Sequence, residues 1–172
     1  MPRAKGINSF TDLYERAVGI RDNSFLSSFI LGHLMTEYLL VKIAELKQPT
    51  LTKLIETLNH ERLVELVFGL GELDEPMKET LLAINTMRNK LAHRISYTPS
   101  IIEYKNIVLL AQSSFSDMTD GFMQTLEEIE GKSSLDECDE FIFHEMFMQI
   151  SYNLHELYVD LGGDWDIFHE NT

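Results

Sequence analysis

One cysteine, four prolines and one tryptophan occur among 172 residues, and beyond residue 105 there is a single lysine, Lys132, and no arginine. Each scarcity excludes something. A lone Cys138 cannot build an intrachain disulfide framework and fits a reducing compartment. The opening "MPRAKGINSF" lacks an apolar stretch, so no secretory signal is expected there. No run is apolar enough for a lipid-exposed span: the most apolar one, residues 25 to 46, carries His33, Glu37, Lys42 and Glu45. These absences point to a cytoplasmic protein with no membrane attachment. Strand-like alternation bounded by turn dipeptides is nearly absent, which argues against a β architecture.

What is present is a balanced globular composition. Apolar residues make up 44% and charged residues 24%, enough to build one real core and too much apolar content for a disordered chain. The length suits one domain, 1–172, and is short for two. The net charge of −14 is lopsided. Residues 1–105 hold 13 Lys/Arg and 13 Asp/Glu, whereas residues 106–172 hold one lysine and 15 acidic residues. The acidic part reads either as a solvated helix face or as a surface for a basic partner. Acidity of that extent weakens the electrostatic attraction of RNA without excluding a locally basic cleft.

Helical punctuation runs along the whole chain. Ser9 with Asp12 resembles a capping pair for a short first helix. A long helix is expected from Asn23 to Leu46, with Phe25, Phe29, Leu34, Tyr38, Val41 and Leu46 as its apolar stripe. A third should run from Thr50 through "ERLVELVFGL" to Gly69 and Gly71, and a fourth should follow Pro76 on Leu81, Ile84, Leu91 and Ile95. Further helices are expected over 100–113 and 116–130. A last one, opened by a Ser134–Glu137 capping box, should reach Leu161 and end at Gly162-Gly163. The tail "DWDIFHENT", with Trp165 and Phe168, reads as a strap over the bundle or an insert into a neighbouring protomer. The fold class is therefore all-α, an antiparallel helical bundle with additional C-terminal helices.

The chemistry concentrates in "MRNKLAHRI", residues 87–95. At 100° per residue, Asn89 and His93 share a helix face, and the long side chain of Arg88 can reach over the same patch. Lys90 and Arg94 add positive charge as substrate-binding candidates. A forked cation, an amide and an imidazole suit a phosphodiester: arginine holds phosphate oxygens in pairs, and histidine moves protons near neutral pH. If the substrate is RNA, its own 2′-hydroxyl is the nucleophile. The alternative is a helix end whose cations and His93 complement the helix dipole.

Nothing in the sequence asks for a metal or cofactor. "HEMFM" at 144–148 lacks the second histidine of a zinc helix, and there is no Gly-rich phosphate loop or cysteine pair. His144 and His155 lie eleven apart, about 16 Å along a helix, and read as separate surface histidines. The run "FIFHEMFMQI" reads as core or partner packing. His33 and Glu37 lie one turn apart on the long apolar helix, so one of them can face inward. Glu37 then reads as a supporting partner for Arg88 or His93, or else as a partly exposed residue or a member of an unrelated pair.

"RNKLAH", at the end of an apolar helix, resembles the Arg-x4–6-His signature of the HEPN superfamily. The longer stretch "ERLVELVFGLGELDEPMKETLLAINTMRNKLAH" is similar to HEPN branches related to the mannitol operon repressor family. The resemblance covers residues 23–112 as a HEPN-like core and leaves 113–172 as acidic C-terminal helices and tail. It implies a helical bundle, a homodimer with two signatures facing across one cleft, and a metal-independent endoribonuclease of a toxin, defence or RNA-processing system. On that basis Arg88 would stabilise the scissile phosphate, Asn89 would orient, and His93 would act in proton transfer. The products would be a 2′,3′-cyclic phosphate and a 5′-hydroxyl. The resemblance also admits a non-catalytic regulator of transcription, or a module that binds a protein such as an antitoxin. One toxin branch places a tyrosine two residues after the histidine; here that position is Ile95, and Tyr97 follows two further on as a supporting candidate.

Overall fold

Helix α1, Phe25–Lys47, sets the architecture because it is apolar on almost every side. Phe29, Met35, Leu39, Leu40, Ile43 and Ala44 are all buried, and a helix buried all round becomes the axis that others surround. The computed structural model describes Ser9, Thr11, residues 25–93, Tyr97 and residues 99–166, without the side chains of Leu26 and His93. The Ser9–Asp12 cap and the first short helix lie outside the described residues.

After α1, a 3-10 turn at Pro49–Leu51 runs into the short α2, Thr52–Ile55. Then come α3 (His60–Gly69), α4 (Glu75–His93), α5 (Ile101–Gln112) and α6 (Asp120–Ile129). A second 3-10 turn, Leu135–Glu137, precedes α7, Phe141–Asp160. Among the described residues the fold is an all-α helical bundle with no strand, and none of their helices is long and apolar enough to cross a membrane.

Helix α7 is the principal partner of α1, with α3 and α4 on the other sides; α5 packs on α4, and α6 on α7. Gly32 makes the α1–α7 crossing close. A β-carbon there would lie 2.1 Å from the Phe147 ring, so only hydrogen fits. Residues 113–160 are thus not an appendage: they supply the helix that covers the central one.

The chain departs from the expected boundaries at three places, each with a local cause. The third helix is broken, because Asn59 caps a new one: its side chain accepts from the Arg62 N–H at 3.0 Å. Ser134 and Glu137 form no capping box for α7. Ser134 Oγ accepts from Asp136 N instead, and Glu137 accepts from Ser133 N, which tightens the turn into 3-10 geometry. The stripe on α1 is not a stripe either, since Leu34 and Leu46 are exposed while Phe29, Tyr38 and Val41 are buried. The glycine stops hold: Gly71 and Gly162 take φ of 79° and 95°, the left-handed conformation that closes α3 and α7.

The segment "FIFHEMFMQI" is core, with Ile142, Phe143, Met146, Phe147, Met148 and Ile150 buried. His155 is not a surface residue. It is buried, and Trp165 lies over it with ring centroids 4.9 Å apart while the Trp165 carbonyl bonds Nε2 at 2.8 Å. His144 is half-buried beside Glu145. The tail is a strap as far as Asp166, which accepts hydrogen bonds from Thr11. Phe168 lies outside the described residues.

Candidate functional site

The polar centre of the bundle is assembled from three helices. On α1, His33 and Glu37 stand one turn apart, and both are buried, at 1% and 9% exposure. His60, the first residue of α3, is 4% exposed and comes against both: its ring centroid is 4.2 Å from that of His33, and its Nδ1 is 3.5 Å from Glu37 Oε2. From α4, Asn85 Oδ1 lies 3.3 Å from His33 Nε2. Arg88 follows one turn later on the same side of α4, near enough for its charge to act on His33.

Burial above all, with the neighbouring His60 and Arg88, draws the pKa of His33 from 6.5 down to about 3, while Glu37 and the bond to Asn85 pull the other way. His33 is therefore a neutral imidazole at pH 7, a hydrogen-bonding or ligating group rather than a proton shuttle. With its Nε2 proton given to Asn85, Nδ1 holds the lone pair. That Nδ1 and both ring nitrogens of His60 are buried without a hydrogen-bond partner.

Arg88 sits where α4 leaves the core. It is half-buried, its Nη1 donates to Asn89 Oδ1 at 3.0 Å, and its Nε is buried with no partner. Asn89 itself is exposed. The backbone of His93 closes α4, but its side chain lies outside the described residues, as does all of Arg94.

Lys90 has a different setting from the one expected of a substrate-binding cation. Its Nζ is 3.0 Å from Glu103 Oε1 and 5.3 Å above the Tyr97 ring. Tyr97 donates to the same carboxylate oxygen at 3.0 Å, and Glu103 Oε2 closes a capping box with Ser100. These contacts fasten the end of α4 to the start of α5. They hold the Glu103 carboxyl at a pKa of about 2, chiefly through the Ser100 backbone bond and then Lys90.

Glu37, expected beside Arg88 or His93, stands against His60, with Oε2 3.5 Å from His60 Nδ1. His60 is the residue that sequence reasoning missed, together with Asn85. No local motif marks His60, and the Asn59 cap that places it at a helix start is hidden within the helix expected to run on from Thr50. No family model, curated protein or solved structure matches the chain.

Proposed function

We propose that this chain is an RNA-cleaving protein of the HEPN type, in which Arg88 binds and stabilises a scissile phosphate and His93 serves proton transfer during attack by the substrate's own 2′-hydroxyl. The observation that carries the reading is the state of Arg88. Asn89 holds one end of its guanidinium, while Nε–H is buried and unpartnered. A donor in that condition costs the fold free energy, and an anionic oxygen is the ligand that recovers it. Lys90, engaged with Glu103, drops from the substrate-binding set in this reading. Arg94 stays in it, and a homodimer would bring two Arg88 residues to one cleft.

The test is RNA cleavage in excess EDTA by wild type, Arg88→Ala and His93→Ala, with the helical circular dichroism recorded in the same buffer. Cyclic-phosphate ends from the wild type, lost in folded variants, support the reading. A folded wild type that leaves RNA intact sinks it.

A second reading, a non-catalytic regulator that binds a basic partner, is favoured by one observation. None of the described acidic residues between 106 and 166 is buried, so that charge is on offer at the surface. Truncation after Lys132 cannot test it, because α7 would be lost from the core. Charge reversal at exposed positions such as Asp117, Asp120 and Glu127 can.

A further inference from the structure

We propose that His33, Glu37 and His60 are the ligands of one divalent transition-metal ion of the zinc class, which ties α1 to the start of α3 inside the bundle. This inference stands apart from the RNA-cleavage reading and does not need it.

Geometry is the first support. One ligand atom from each of the three residues lies within 4.8 Å of the other two. Around a tetrahedral zinc with bonds of about 2.0–2.1 Å, ligand atoms are about 3.3 Å apart. The 3.5 Å between His60 Nδ1 and Glu37 Oε2 already matches that spacing. Small side-chain rotations on neighbouring turns close the remainder. Metal sites in helical bundles are commonly built this way, from inward side chains of facing helices.

Protonation is the second support. An imidazole ligates through a lone pair, with its other nitrogen usually donating to an oxygen that fixes the tautomer. His33 is so arranged: Nε2 faces Asn85 Oδ1 at 3.3 Å, and Nδ1 is buried and unpartnered. An ion pair between protonated His60 and Glu37 would account for only one of the three unpartnered imidazole nitrogens, and at 3.5 Å it is not a hydrogen bond. A metal takes one lone pair from each ring and so engages two of the three.

Donor chemistry sets the ion class. Two imidazoles and one carboxylate favour zinc, cobalt, nickel or ferrous iron over calcium or magnesium, which prefer all-oxygen shells. Three protein ligands leave a position for a water or a substrate atom. The Arg88 cation nearby opposes a second positive centre, so the affinity will be lower than the donor set alone would give.

The experiment uses the full, tag-free chain, stripped with chelator, dialysed and titrated with Co2+, followed by displacement with Zn2+. Expected is one equivalent bound, with the visible absorption of four- or five-coordinate cobalt and no sulfur-to-cobalt charge-transfer band. His60→Gln and Glu37→Gln should abolish the absorption, His144→Gln should keep it, and Asn85→Leu should weaken binding about 10- to 100-fold by freeing the His33 ring. Absence of binding by folded wild type, a thiolate band implicating Cys138, or full retention in His60→Gln each overturns the proposal. Should the ligand variants fail to fold, the wild-type stoichiometry and a nitrogen/oxygen-only X-ray absorption spectrum decide the matter in the same two directions.

Discussion

The rings of His33 and His60 lie 4.2 Å apart and inclined by 33°, in contact across two helices in the interior of an apolar bundle. Two buried imidazoles cannot both carry charge there without great cost, and Glu37 beside them offsets only one positive charge. The pair is thus a polar weak point unless something binds it, and its removal can be measured. His60→Ala should destabilise the metal-free protein by about 2–4 kcal/mol, through lost packing and a disturbed Glu37 carboxylate. A double-mutant cycle with Glu37→Gln in urea should give a coupling of about 1–3 kcal/mol. Strict additivity would mean that the two side chains merely share a neighbourhood.

Gly32 and Phe147 test the helix crossing on which the fold depends. A methyl group on Gly32 would fall inside the Phe147 ring, so Gly32→Ala must push α1 and α7 apart or force the ring off its rotamer. Overpacking of this kind costs about 1–3 kcal/mol. Phe147→Leu alone should also destabilise, but adding it to Gly32→Ala should recover part of the loss. Thermal unfolding of the two single variants and the double variant reads this directly; no recovery would place the strain elsewhere.

How far the sequence reveals this arrangement depends on the range of the interaction. Punctuation is local, so the stops at Gly71 and Gly162 and the helix expected over 100–113, seen over 101–112, were legible, whereas the one expected over 116–130 begins only at Asp120, after the Thr119 cap. Also legible was Ser100-x-x-Glu103, a capping box plainly written yet overlooked. Periodicity failed on α1, because a helix covered on all sides has no stripe to read. His33 and Glu37 could be paired by their one-turn spacing, but His60 reaches them only through the turn of chain between α1 and α3. Lys90 reads as a substrate-binding candidate for the same reason: its partner Glu103 is fixed by helix packing, not by neighbouring sequence.

Glu103 predicts a pH dependence. Its carboxyl is held at about 2 in the folded protein against an ordinary 4.5, so the unfolded chain binds its proton first as pH falls. Its stabilisation is therefore complete above about 4.5 and is lost as pH drops through about 2. Glu103→Gln should lower stability at pH 7 by about 1 kcal/mol or less, because the side chain is 37% exposed and solvent screens the pair. The difference from wild type should shrink towards pH 2 in urea titrations. A gap independent of pH would mean that the carboxyl titrates alike in the folded and unfolded chain, and would overturn the prediction.

Arg88 and Lys90, two positions apart on α4, offer the sharpest contrast. If the RNA-cleavage reading holds, Arg88→Lys should lower the cleavage rate by about 100-fold or more. An ammonium is a point charge, and it cannot reproduce the forked geometry or the Nε–H of a guanidinium. Lys90→Met should behave in the opposite way. It removes a salt bridge to Glu103 and a cation over the Tyr97 ring, so it should reduce stability by about 1 kcal/mol or less and leave cleavage within a few-fold of wild type. Rates under single-turnover conditions, paired with urea midpoints, separate the two effects. Were Lys90→Met to abolish cleavage in a well-folded protein, the Lys90–Glu103 bridge would have to open for substrate. The basic patch first read from "RNK" would then be the working surface after all.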